Sequence, residues 1–464
     1  MGSSAKRALQ WLDDRSGFST NVLPIVRHPV PSNVNWWYVF GSATLVAFIV
    51  QVITGVALAF TYVPAADNAY ETLQFISHQA TLGSIVRGIH YWGASAMVVL
   101  VIIHMARIFL MGSYKYPREL NWLTGVGLLF LTLGMAFTGQ LLRWDQDAYW
   151  AVVVGAEQAG RVPIIGTYLT QILVAGQTVG GATLTRFYAT HVFLIPALMF
   201  GLIGLHLYLV VRHGISEPPV AGRPVDPASY KAWYQRLLER DGIPFWPDAI
   251  WRDVVFAMVI GAVVVVLAMV PGPKELAGRA DPTILKAYPR PDWYFLWYFA
   301  VLALIPPRIE TWIIIGFPAA VVVGLLAIPF VGRSGERSPR RRPWAVGLIA
   351  VSFVAVGVLT YEGFQAPWSP DLSPAPLPAA VTQPLNAEQS QGANIFENHG
   401  CINCHTIAGS GGRRGPDLSA VGGRLTKEQL TWRILNGGKN MPAFNDKLDP
   451  KEVEQIVAFL QTRD

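Results

Sequence analysis

With 464 residues, of which 52% are hydrophobic and only 14% charged, the chain is too apolar for a soluble globule. Its formal net charge of +6 is accounted for by basic residues flanking apolar runs, and no nucleic-acid partner is expected. Membrane lipid is the expected surrounding.

In chain order, a polar stretch of about 35 residues, in which no cleavable leader is expected, precedes the first apolar run. Windows near the roughly 20 residues that cross a bilayer occur at 36–62, 86–111, 121–142, 187–211, 251–270, 311–331 and 344–362, predicting seven membrane helices. "DWYFLWYFAVLAL" (292–304) is apolar but short and is read as an interfacial or buried helix. The expected fold is all-α, a polytopic membrane helical bundle followed by a small all-α domain. Basic residues gather at the start (Lys6, Arg7, Arg15, Arg27) and in the second loop (Lys115, Arg118). They recur in the fourth (Arg212, Arg223, Lys231, Arg236, Arg240) and sixth loops (Arg333, Arg337, Arg340, Arg341, Arg342), so these segments are expected to face the cytoplasm. Everything after residue 362 is then delivered to the outside of a cell membrane.

The second run contains "HYWGASAMVVLVIIH" (90–104), with His90 and His104 14 residues apart. At helical pitch they share a face and sit about 21 Å apart along the axis. The fourth run repeats the arrangement with His191 and His206, 15 apart. A single intramembrane histidine reads as a satisfied core residue or an interhelical hydrogen bond. Four, in two pairs at matching depth, read as axial ligands of two haem irons. Both runs cross from outside to inside, so His90 pairs with His191 near the outer face and His104 with His206 near the cytoplasm. Gly41 and Gly55 on the first span and Gly125 and Gly139 on the third repeat the interval of 14. That fits close helix packing or close approach to haem faces. Arg87, Arg107 and Arg186 are candidates to pair with haem propionates, with snorkelling interfacial arginines as the alternative.

Beyond the last span, "QAPWSPDLSPAPLPAAVTQP" (365–384) has six prolines in twenty residues and reads as a semi-extended linker. It leads to a polar segment of about 80 residues, small enough to need help with its core. "CINCH" (401–405) supplies that help: Cys401, Cys404 and His405 have the spacing for covalent c-type haem attachment, two thioethers plus an axial histidine. A disulfide or redox CxxC pair is the competing reading. Met441 is the candidate sixth ligand, with His399 as competitor.

"VRGIHYWGASAMVVLVIIHMAR", "TGQLLRWDQ", "LTRFYATHVF" and "HLYLVVRHGIS" resemble the four-helix cytochrome b of the quinol-oxidising cytochrome bc and bf complexes. "YPRPDWYFLWYFAVLALIP" is similar to the start of subunit IV, whose family motif is PEWY, and the final segment resembles a class I cytochrome c with Pro416 near the proximal histidine. The resemblance implies a cytochrome b half at 1–220, a subunit IV-like half at 221–363, a linker at 364–385 and a cytochrome c domain at 386–464. It further implies a proton-translocating quinol:cytochrome c reductase working by the Q-cycle, with two non-covalent b haems and one covalent c haem. Quinol, of a low-potential kind such as menaquinol given the shorter aspartate, would be oxidised near the outer haem beside Asp292 and Tyr294, Asp292 accepting a proton. A polar helix cap is the other reading of that carboxylate.

Departures from the family pattern are Val39, where the bf branch has a haem-anchoring cysteine; Arg143, which replaces a proline; and the aspartate of PDWY. Arg212 and His213 are candidates for a quinone site at the cytoplasmic face. Cys401 and Cys404 are the only cysteines, so a Rieske iron–sulfur protein has to be a separate chain. Cytochrome c or a terminal oxidase is the expected acceptor, and a homodimer is implied by resemblance. A non-bifurcating membrane electron conduit is the alternative function.

Overall fold

The computed structural model describes residues 3–176, 179–281, 290–365, 375–412, 415–437, 441, 443–445 and 447–463; positions 366–374 of the expected linker lie outside them. Among the described residues, seven helices are long and apolar enough to cross a membrane. These are α1 (Phe40–Ala59), α2 (Gly83–Leu110), α3 (Glu119–Leu141), α5 (Gly181–His213), α6 (Trp251–Met269), α8 (Pro307–Val331) and α9 (Pro343–Gln365). Among the shorter helices between them are α4 (Gln146–Gly160) and α7 (Trp293–Leu304). Hydrocarbon offers no partner for a bare peptide group, so each crossing closes its hydrogen bonds internally as a helix. α7 stops where Ile305 turns extended ahead of Pro306, a residue that forbids helical geometry in its predecessor.

The expected spans agree with the helices to within a few residues at most ends, and α5 begins earlier than its apolar window, at Gly181. Within α5, Thr190–Leu194 form a π turn that interrupts the regular α-helix. Among the described residues the all-α expectation holds apart from two small antiparallel ribbons. β1 (Pro29–Pro31) pairs with β2 (Gly242–Pro244), and β3 (Thr406–Ile407) with β4 (Ser410–Gly411).

Burial separates the helices. α2 is the most enclosed span, with 44% of its window buried, against 6% for α9; it is the one that packs along both α1 and α6. α3 pairs with α5, and α7 with α9. Ala43, Ala47 and Phe48 of α1, Met97 and Leu100 of α2, and Ile195 and Met199 of α5 form the mid-bundle core. The outward faces carry exposed valine, isoleucine and phenylalanine, the surface that lipid covers.

The C-terminal domain is built on α10 (Ala387–Asn398), α11 (Lys427–Asn436) and α12 (Pro450–Leu460). Each starts with a reciprocal capping box: Asn386 with Gln389, Thr426 with Gln429, Asp449 with Glu452. α10 and α12 cross so closely at Gly392 that a Cβ there would meet the Gln455 carbonyl at 2.0 Å. Phe396 and Phe459 meet at that crossing with ring centroids 5.8 Å apart and planes tilted by 58°, and anchor the core.

Candidate functional site

The four intramembrane histidines fall opposite the four glycines one for one. A Cβ on Gly55 would lie 3.2 Å from the His90 ring, and one on Gly139 would lie 2.7 Å from His191. At the other level, Gly41 faces His104 at 2.9 Å and Gly125 faces His206 at 3.7 Å. Two levels result, each drawing one histidine from α2 and one from α5. The His90 and His191 ring centroids are 6.4 Å apart. Two imidazoles bound across one metal ion, each at a metal–nitrogen distance of about 2 Å, place their centroids about 6 Å apart. No cluster of three or more histidine, cysteine, aspartate or glutamate ligands occurs among the described residues. A two-histidine site suits an iron whose other four positions a porphyrin fills.

The residue before three of these glycines orients a histidine. Thr54 Oγ1 lies 2.9 Å from His90 Nδ1, Thr124 Oγ1 2.8 Å from His206 Nδ1, and Thr138 Oγ1 3.0 Å from His191 Nδ1. Each threonine spends its one hydroxyl hydrogen on the carbonyl four residues back, at 2.7, 3.0 and 2.8 Å respectively. Its oxygen is left to accept from Nδ1–H, so the lone pair of Nε2 is free for a metal. Sequence reasoning missed these threonines, although the signal was present as a repeated Thr-Gly pair at 54–55, 124–125 and 138–139.

The 15-residue interval between His191 and His206 also has a local cause. The π turn at Thr190–Leu194 absorbs one extra residue, which restores the phase set by the 14-residue interval in α2.

The three arginines differ in their engagements. Arg107 lies over the Tyr38 ring at 3.7 Å, with Nε and Nη2 buried and lacking a hydrogen-bond partner among the described residues, a position that a propionate carboxylate would complete. Arg87 instead donates to Ser77 Oγ at 2.9 Å and to the Lys274 carbonyl at 2.6 Å. Arg186 is exposed and donates to the Ile172 carbonyl.

Asp292 occupies the N-cap position of α7, yet its side chain makes no capping hydrogen bond. Tyr294 OH donates to Asp292 Oδ2 at 3.0 Å, and Lys274 Nζ stands 4.0 Å from Oδ1. Burial among these groups holds the Tyr294 phenol protonated, well above its ordinary value, with the Asp292 charge adding to the effect. Arg143, the residue in place of proline, is 9% exposed; its Nε lies 3.6 Å from Asp145 Oδ2 and its Nη2 3.9 Å from Asp147 Oδ2.

At the level of His104, a small cavity of about 40 Å³ is lined by Tyr38, Val39, Phe245, Arg252 and Asp253 among others. Ser42 Oγ donates to the Asp253 carboxylate. Arg212 and His213 are not among its lining residues; the His213 carbonyl instead accepts from Arg118 at 3.2 Å. Asp253 was missed, although "WRD" placed two charges at the head of an otherwise apolar span.

In the C-terminal domain, Cys401–Asn403 form one 3-10 turn, and burial pushes the Cys401 thiol up to about 12. His405 Nδ1 lies 2.9 Å from the Pro416 carbonyl, which again directs Nε2 outward. A Cβ on Gly415 would come within 2.7 Å of that ring. His399 faces Glu452 at 3.6 Å, whereas Met441 packs against the domain core together with Cys401.

Three families match successive parts of the chain. Residues 25–214 match Cytochrome b/b6/petB, residues 279–375 match Cytochrome b(C-terminal)/b6/petD, and residues 387–460 match Cytochrome C oxidase, cbb3-type, subunit III. Cytochrome b6 of Heliobacterium modesticaldum is 42% identical over 212 residues, which is 45% of this chain and 100% of that protein. The menaquinol:cytochrome c reductase cytochrome b subunit of Bacillus subtilis is 41% identical over 216 residues, 45% of this chain and 96% of its own. A hyperthermophilic respiratory Complex III structure superposes with a TM-score of 0.65 at 28% identity, covering 78% of this chain and 92% of that one. Haem b and haem c are implied by the two kinds of domain. The chain belongs to the cytochrome b/b6 family, as a multi-pass membrane subunit that also carries the subunit IV portion and a C-terminal cytochrome c domain.

Proposed function

We propose that this protein is the cytochrome b/c fusion subunit of a proton-translocating quinol:cytochrome c reductase, working with a separate Rieske iron–sulfur protein in a homodimeric complex of a bacterial cell membrane. Its parts are a four-helix di-haem portion at 1–220, a three-helix portion at 221–363, a linker at 364–385 and a c domain at 386–464 on the outer side. The observation that carries the reading is the one-for-one placement of four glycines against four histidines at two levels.

His90 with His191, and His104 with His206, would each hold a b haem, while Cys401, Cys404, His405 and Met441 would hold the c haem. When bound, these groups supply one-electron chemistry. The chain's own residues do the rest. Thr54, Thr138 and Thr124 hold three imidazoles in the tautomer that presents Nε2. Tyr294 aims the Asp292 carboxylate, which takes a proton from the quinol hydroxyl at the outer face. Asp253 and Arg252, at the cavity beside Tyr38, are the polar groups that would receive a quinone on the cytoplasmic side. The name of the Bacillus subtilis relative supports menaquinol as the substrate.

Purification of the intact complex tests this directly. Pyridine haemochrome analysis is expected to give two b haems per c haem, with a copurified Rieske protein and quinol-dependent c-haem reduction that quinol-site blockers stop. Haem reduction indifferent to those blockers would identify a non-bifurcating conduit instead.

A further inference from the structure

Asp292 is not isolated at the outer face. Lys274, on the loop that follows α6, places its Nζ 3.1 Å from Asp147 Oδ2 of α4 and 4.0 Å from Asp292 Oδ1. The side chains of Asp292, Asp147 and Lys274 are 10%, 20% and 36% exposed, so the cluster opens outward from the buried carboxylate. Arg143, Tyr294 and Tyr91 also face Asp292, and Arg143 also faces Asp147.

Holding the loop in place does not require this pair. Asp145 already accepts from the backbone N–H of Ala148 at 2.9 Å and of Ala277 at 3.1 Å. Gln146 bonds both the carbonyl and the N–H of Asp281, at 2.9 and 2.7 Å, and its own backbone N–H reaches Gly278 at 2.8 Å. Arg87 fixes the Lys274 carbonyl from below. The backbone of residue 274 is therefore pinned while its four-carbon arm remains able to swing between two carboxylates. Drawing Lys274 and Arg143 together with two carboxylates in a partly desolvated pocket costs free energy, and the backbone bonds already hold the loop without it.

We propose that Lys274 and Asp147 form the proton exit from the quinol oxidation pocket, relaying to water the proton that Asp292 receives. The proposal rests on the reading of Asp292 given under Proposed function. In each passage the Lys274 ammonium gives a proton to the Asp147 carboxylate and takes one from protonated Asp292. Lysine ends as it began, Asp292 returns to its carboxylate form, and Asp147 releases the proton to the outer solution. Lys274 and Asp147 are relay residues and do not touch the quinol.

The test uses the purified complex bearing Asp147→Asn, Asp147→Glu or Lys274→Met. Quinol:cytochrome c turnover of the Asn and Met variants is expected to fall about tenfold, a modest share of what proton transfer contributes. KM for quinol should stay unchanged, the b and c haem spectra should remain normal, and the solvent isotope effect should rise. Asp147→Glu is expected to retain activity, and small weak acids added to the buffer should restore Asp147→Asn. An active parent whose Asn and Met variants turn over equally fast overturns the relay alone. Loss of turnover that weak acids do not restore, with disturbed haem spectra, overturns it in favour of a structural ion pair. A parent with no blocker-sensitive quinol oxidation overturns the proposed function itself.

Discussion

In the membrane bundle, His90 and His191 are 101 residues apart and meet only because α2 and α5 face each other across a common core, whereas Cys401, Cys404 and His405 lie within five consecutive residues. Both regions aim an imidazole by fixing its Nδ1, but with different partners. The bundle uses threonine hydroxyls from neighbouring helices. The small domain uses the carbonyl of Pro416, eleven residues along the same chain. The contrast follows from size. A bundle with many packed helices can hold two imidazoles rigidly by tertiary packing alone, while a domain of about 80 residues has too little core for that and places its cysteines and histidine locally in the chain.

The sharpest break between the two regions comes from removing a ligand in each. His191→Leu is expected to lower the b-haem count from two to one per c haem and to abolish quinol oxidation, with the c spectrum intact. Cys404→Ser should do the reverse, sparing both b haems while covalently held haem is lost. Pyridine haemochrome ratios report both outcomes, and a b count unchanged in His191→Leu would refute the pairing by level.

Glycine substitutions should come next in size and should differ from one another. Gly139→Leu pushes side-chain bulk into a ring that even a Cβ would approach to 2.7 Å, so outer b-haem content is expected to collapse. Gly125→Ala, whose Cβ would lie at an ordinary 3.7 Å from His206, should assemble with full haem. Equal loss in both variants would mean that helix packing, and not proximity to the histidines, sets these positions.

A smaller effect is expected from Thr138→Val, which removes the acceptor for His191 Nδ1 but leaves the ligand itself. Loss of such an outer partner weakens metal binding by about 10–100-fold, so b haem should dissociate faster in detergent and its midpoint potential should shift. Least of all, Asp449→Ala removes the capping box of α12 and should destabilise the small domain by about 1 kcal/mol. Thermal loss of the c-haem signal at lower temperature, with b-haem loss unmoved, would show that the two regions unfold separately.

The parts of the site that could be read from sequence were those written in one helix's own period. Apolar windows located every span found among the described residues, and the intervals within 90–104 and 191–206 marked the histidines that the fold brings together at two levels. "CINCH" marked the cytochrome c-type domain within five residues. What escaped depends on contacts between elements remote in the chain. Asp253 reaches Ser42 across 211 positions, and Lys274 reaches Asp147 across 127. Arg143 stood out as a missing proline, but its aspartate neighbours become meaningful only once the loop after α6 folds back over α4. No hydropathy pattern encodes such meetings, because polar side chains at the ends of spans look alike whether they face water or one another.

The wider turn at Thr190–Leu194 means that an interval of 15 residues in α5 and one of 14 in α2 can leave the same angular phase between two histidines on one rod. A single insertion that would otherwise swing His206 away by about 100° is swallowed locally. A search keyed to one rigid interval would therefore overlook relatives whose imidazoles still line up.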